Sequence, residues 1–207
     1  LSTGQAHAAV ERARGSAAMD LVGLHMHIGS QVFSVENFLE GLRAVAPFVV
    51  AEDLPELIVG GGLGVAYVEG EEAPTLASWA GAIIRTCRDA GITAAIAAEP
   101  GRAIVAQAGI TLYEAGTIKF IPGIRTYVAV DGGMSDNPRP VLYGSGYETF
   151  LPRAVRAERE LPIRLVGKHC ESGDLIVREG SVPGDLAIGD IVATPVTGAY
   201  GHSMGSN

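Results

Sequence analysis

The sequence predicts two architectures in series, α/β and then all-β: the C-terminal part of a (β/α)8 TIM-type barrel followed by a β-barrel or sandwich domain, each present in part. Two observations predict it. Up to residue 102, short apolar runs alternate with stretches of helical periodicity, and each apolar run ends in glycine or polar residues. From residue 110 the chain turns to short β-branched runs cut by turns. The change of texture assigns residues 1–108 to a partial barrel and residues 109–207 to a partial β domain.

Residues 3–16 read as a helix, and "LVGLHMHI" at 21–28 as an apolar strand. "SVENFLEGLRAVAPFVV" at 34–50 has helical periodicity, with Ser34 as N-cap. "ELIVGGG" at 56–62 is the next strand. "TLASWAGAIIRTCRDAG" at 75–91 is an amphipathic helix closed by a glycine, and "TAAIAAEPGR" at 93–102 is a third strand. Such alternation implies parallel strands joined by helical crossovers. In a barrel the strands' C-terminal ends then bring His27–Ser30, Gly60–Gly64 and Glu99–Arg102 to one rim. "GRAIVAQAG" leads out as a helix, and "ITLYEAGTIKF", "RTYVAVDGG", "LPIRLVGKHC" and "DIVATPVTGAY" read as antiparallel strands. In "SVPGDLAIGDIVA", Gly184 and Gly189 supply the bends of a turn and return.

Composition narrows the function. The 207 residues are 47% hydrophobic and 18% charged, which suits a buried core rather than a disordered chain. A net charge of −8 and an acidic pI near 5.1, with 15 unclustered basic residues, argue against a nucleic-acid partner and for a small-molecule ligand. No apolar stretch reaches the roughly 20 residues of a membrane span. The opening residues lack the layout of a secretory signal, so a cytoplasmic compartment is expected. Cys87 and Cys170 lie in different settings, so neither a disulfide nor a metal site is expected.

Each cluster taken alone has an ordinary reading. "GGGLG" at 60–64 suits a tight turn as well as close approach of backbone N–H groups to a phosphate. His25 and His27 alternate along a strand and share a face, His25 reading as a satisfied structural histidine. A buried arginine is usually neutralised by a carboxylate, and Arg102 with Glu99 fits that pattern. Cys87 reads as a core residue; Cys170, between His169 and Glu171, is either inert or a reactive thiol.

Six motifs in order change the weighting: "HMHIGSQ", "GGGLG", "EPGR", "DGGMSDNPRPVLY", "GKHCESGD" and "TGAYGHSMGSN". Their order and spacing resemble the fold-type III pyridoxal-phosphate decarboxylases across nearly all of residues 20–207. The resemblance implies pyridoxal 5′-phosphate as cofactor, with His27 stacked on its ring and Ser30, Gly61 and Gly62 holding its phosphate. It sets Glu99 against the pyridine nitrogen, and Gly101 and Arg102 near the phosphate, Arg102 also near the substrate carboxylate. Arg139 and Tyr143 would meet the distal end of the substrate, Glu171 its ammonium group, and Tyr200 both cofactor and substrate. Cys170 would be the proton donor, completing a catalytic set with Glu99 and His27. The loop bearing Cys170 and Glu171 would cross from a partner subunit, implying a homodimer with shared sites.

The implied activity is decarboxylation of an amino acid. Meso-2,6-diaminopimelate, yielding L-lysine, is favoured because Arg139 suits a distal carboxylate and Glu171 stands where ornithine- and arginine-type relatives commonly show an aspartate. Such a relative, or a non-catalytic regulatory homologue of the same fold, is the alternative reading. The family holds its cofactor through a lysine on an early barrel strand, and neither Lys119 nor Lys168, the two lysines here, matches it. A full barrel takes about 250 residues in eight units, of which about three are present. The chain is therefore expected to be an internal fragment, inactive alone.

Overall fold

In the computed structural model, which describes residues 3–206, each predicted alternation becomes one strand or one helix. Helix α1 (Gln5–Arg14) precedes β1 (Gly23–His25), α2 (Val35–Glu52), β2 (Glu56–Ile58), α3 (Leu76–Asp89) and β3 (Ala95–Ala97). The strands lie in the order β1-β2-β3, all parallel, with Leu24 opposite Leu57 and Leu57 opposite Ile96. Each spans only three residues, because the glycine and polar tails of the apolar runs leave the ladder to form loops. This is the arrangement of part of a (β/α) barrel.

The crossover helices bury one stripe each. Phe38, Leu42 and Val49 of α2 and Trp79, Ile83 and Cys87 of α3 recur at helical spacing and pack with Leu57, Val59 and Leu63. Phe38 and Trp79 meet edge to face at 5.5 Å. Burying each large side chain contributes about 1.5–3 kcal/mol. Helix α3 starts where Thr75 accepts a hydrogen bond from the Ser78 N–H at 3.1 Å, and Gly91 beyond its end takes a φ of 75°. Ser34 stands at the N-cap of α2 as predicted, yet its hydroxyl makes no capping hydrogen bond.

After α4 (Gly101–Val105) and a 3-10 turn (Ala106–Ala108), the remaining strands form one sheet in the order β7-β6-β5-β4-β8. These are β4 (Ile110–Ile121), β5 (Arg125–Val130), β6 (Leu161–Val166), β7 (Leu175–Val182) and β8 (Ile191–Pro195). The sheet is mixed, which corrects the expectation of antiparallel strands throughout: β5 and β6 run parallel, with Thr126 opposite Ile163. The connection over residues 131–160 is long enough to carry the chain back to the starting edge, as a parallel pair requires. Strand β4 pairs with β8 through Glu114 and with β5 from Ala115, with an irregularity between Ala115 and Ile118 where the strand bends.

The chain divides into two compact units. One takes the chain through Val65 together with Glu72–Ala103; the other takes Ala66–Glu71 and everything from Ile104 on. Among the described residues no helix is long and apolar enough to cross a membrane.

Candidate functional site

In the first unit the loops after β1, β2 and β3 are tied to one another through their backbones. Glu99 N–H donates to Gly60 O at 2.8 Å, Val32 N–H to Gly62 O at 2.9 Å, and Gly64 N–H to Val32 O at 3.0 Å. The glycines are required by this approach. Gly60 and Gly62 adopt φ values of 72° and 93°, and a Cβ at Gly61 or Gly62 would collide with the carbonyl oxygen of Glu99 or Gly29. Gln31 takes a φ of 58° and clasps Val65 with its side-chain amide, accepting from Val65 N–H and donating to Val65 O at 2.7 Å.

The side chains of these loops pair in a way the sequence left open. Arg102, buried in α4, donates from Nη2 to Ser30 Oγ at 3.0 Å, rather than simply neutralising Glu99. Glu99 instead meets His25, Nε2 to Oε2 at 3.1 Å, with both side chains about half exposed. His27 Nδ1 accepts from the Gly61 N–H at 3.3 Å. The rings of His25 and His27 lie parallel, 6.5 Å apart. A guanidinium beside a hydroxyl, an exposed imidazole and a backbone-lined glycine loop together suit a phosphorylated aromatic ligand.

In the second unit Asn137 and Pro138 lead into α5 (Arg139–Tyr143), which ends at Gly144 in the left-handed region. Arg139 is 6% exposed. Its Nη2 donates to Ser145 Oγ at 3.2 Å, and its guanidinium carbon lies 5.4 Å from the ring centres of Tyr67 and Tyr143 and 5.9 Å from that of Tyr200. Tyr143 is largely exposed and Tyr200 about half exposed, whereas Tyr67 is buried and packs edge to face on Tyr147 at 5.2 Å. Burial pushes the Tyr147 phenol up, the Arg139 charge being the largest opposing influence. Tyr200 holds a φ of 63°, uncommon for a non-glycine residue, just before α6 (Gly201–Met204).

Cys170 and Glu171 occupy a separate exposed loop between β6 and β7, where Glu171 Oε1 accepts from Ser172 Oγ and Gly173 N–H, both at 3.2 Å. Cys87 is a buried core residue, and burial pushes its thiol up. Among the described residues no three His, Cys, Asp or Glu side chains cluster for a metal ion. Tyr67 and Ser145, which frame Arg139, were not singled out in the sequence, because no motif spacing links them to it.

The family model for the pyridoxal-binding domain of pyridoxal-dependent decarboxylases matches residues 1–106. The chain belongs to this family. It is 43% identical over 225 residues to diaminopimelate decarboxylase of Mycobacterium tuberculosis, and 41% identical over 211 residues to that of Staphylococcus aureus. These alignments take in 100% and 99% of the chain but 50% of each relative, so the chain spans about half the length of the relatives it matches. Among solved structures, diaminopimelate decarboxylase from M. jannaschii in complex with L-lysine aligns with a TM-score of 0.90 at 32% identity, covering 100% of this chain and 49% of that one. The Helicobacter pylori enzyme, also with L-lysine, aligns with a TM-score of 0.82 at 35% identity, covering 97% and 50%.

Proposed function

We propose that this chain works in an enzyme that removes carbon dioxide from meso-2,6-diaminopimelate to give L-lysine. The observation that carries the substrate assignment is Arg139. A buried guanidinium is costly unless a negative charge meets it, and among the described residues Arg139 forms no ion pair with a carboxylate. A substrate with a distal carboxylate supplies that charge; ornithine and arginine have none to offer. The L-lysine in the related structures, a decarboxylation product of diaminopimelate, supports the same reading.

Ser30, Gly61, Gly62, Gly101 and Arg102 would hold the cofactor's phosphate, with His27 against its ring. When bound, pyridoxal phosphate supplies a conjugated ring that takes up the electron pair left by departing carbon dioxide. Glu99 would keep the pyridine nitrogen protonated, since a carboxylate favours a neighbouring cation. Arg139 and Tyr143 fix the distal carboxylate end, Glu171 takes the distal ammonium, and Tyr200 orients the substrate against the cofactor. Cys170 delivers a proton to the carbon that has lost carbon dioxide. The enzyme is a cytoplasmic homodimer in which the loop bearing Cys170 and Glu171 serves the partner's site.

The test is carbon dioxide release by the full-length enzyme from meso-diaminopimelate and from L-ornithine. Preference for diaminopimelate by about a hundredfold or more in kcat/KM is expected, as for sites built to meet a substrate's polar group. Equal or better use of ornithine would overturn the assignment.

A further inference from the structure

Asp174 has no part in the function proposed above, yet it is 3% exposed and its carboxylate is engaged on both oxygens. Oδ1 accepts the Met134 N–H at 2.6 Å and Oδ2 accepts the His169 N–H at 2.8 Å. Its own backbone closes the loop between them: the N–H donates to Glu171 O at 3.0 Å, and the carbonyl accepts from Gly167 N–H at 2.9 Å. Gly167 has no room for a side chain because this carboxylate occupies the space, and a Cβ at Gly133 would lie 2.7 Å from the His169 ring and 2.9 Å from Asp174 Oδ2. Two further bonds join the same segments, Lys168 N–H to Gly132 O at 2.9 Å and the pair His169 Nε2 and Ser135 Oγ at 2.8 Å.

From this geometry we infer that Asp174 is a positioning residue: its buried carboxylate fastens the loop carrying Cys170 and Glu171 to the 131–137 loop and fixes where that thiol and carboxylate stand. The inference rests on the reading of Cys170 as proton donor. A charged acceptor shared by two backbone N–H groups makes strong hydrogen bonds, and here the two donors come from different loops. One of them, His169, immediately precedes Cys170. The exposed loop is thus held by the Asp174 carboxylate on two of its sides, with the Lys168–Gly132 and His169–Ser135 bonds beside it.

Asp174→Asn keeps the shape but turns one acceptor into a donor, so only one of the Met134 and His169 N–H groups stays bonded. Thr149→Val is the control. Thr149 is fully buried in the same unit and bonds both backbone groups of Ser181 at 2.8 and 3.0 Å, so its loss weakens the sheet without touching the loop. In the full-length holoenzyme, Asp174→Asn should lower amide-exchange protection over residues 132–137 and 168–174 by about tenfold or more. Alkylation of Cys170 by iodoacetamide, followed by mass spectrometry, should change in rate by about threefold or more, because the thiol's surroundings are no longer fixed. Turnover should fall about tenfold to a hundredfold with KM little changed, as for a misplaced reacting group.

Thr149→Val should lower Tm and leave all three readouts within about twofold. An Asp174→Asn enzyme that loses Tm as Thr149→Val does, with exchange, alkylation and kcat unchanged, would overturn the inference. Normal turnover by Cys170→Ser would refute the proton-donor reading instead; the exchange and alkylation results would then decide for or against Asp174 by themselves.

Discussion

Gly62→Ala is predicted to be one of the most damaging single-methyl additions in the first unit. Two separate penalties meet at this position. Its φ of 93° lies where an L side chain is strained, at a cost of about 1–2 kcal/mol. The added Cβ would also be driven into the Gly29 carbonyl oxygen and to 3.0 Å from the carbon behind it, backbone that cannot swing aside like a flexible side chain. Overpacking of this kind costs about 1–3 kcal/mol, giving a total of about 2–5 kcal/mol. Gly70 separates the two effects, because it has a φ of 87° with no atom within 4 Å of its Cβ position. Gly70→Ala should therefore show only the backbone cost of about 1–2 kcal/mol. The assay is denaturant unfolding of the full-length protein without cofactor, followed by circular dichroism, with both variants beside wild type. Equal losses for the two would refute the argument that the glycine loop is pinned by its contact with the loop after β1.

The other predictions address single groups. Glu99→Gln in the full-length enzyme should cut turnover about a hundredfold, as for loss of one electrostatic stabiliser, while cofactor content stays near wild type because the residues proposed to hold the phosphate are unchanged; absorbance of bound cofactor and carbon dioxide release check both halves. Tyr113 is 2% exposed, its hydroxyl finds no hydrogen-bond partner among the described residues, and burial, then the charge of Asp136, pushes its phenol above the ordinary range. Its folded-state value is thus raised, so its contribution is complete below the unfolded value near pH 10 and is lost as pH rises further. Tyr113→Phe should keep or raise stability at pH 7 by up to about 1 kcal/mol and make alkaline unfolding less steep, read as Tm against pH from 9 to 11.

The parallel unit was legible because its helices bury clean stripes, as Phe38, Leu42 and Val49 do, and its strands end at glycine or polar signals. Strand β7 was not, and the reason lies in its pairing. Ile176 and Val177 are buried in succession and Arg178 and Glu179 exposed in succession, so the two-residue alternation fails where the β6–β7 register shifts near Leu165. The parallel direction of β5 and β6 was equally hidden, since it is set by how the 131–160 connection returns and not by either strand's composition. Motif order singled out Ser30, Arg102 and Arg139 as candidates, but motifs do not report which side chain each one meets. Arg102 meets Ser30, Glu99 meets His25, and Tyr67 reaches Arg139 from a segment that reads only as a loop.

The proposed choice of substrate rests on Arg139 meeting a distal carboxylate. The most direct measurement is kcat/KM of the full-length Arg139→Ala enzyme with meso-diaminopimelate and with L-ornithine, each against wild type. Loss of a charge-assisted contact in a buried setting should cost about 2–4 kcal/mol with diaminopimelate, roughly thirtyfold to a thousandfold. The ornithine reaction, which offers the guanidinium nothing to hold, should change by less than about threefold. Equal losses on both substrates would contradict the account and make Arg139 a support for its tyrosine surroundings rather than a reader of the substrate.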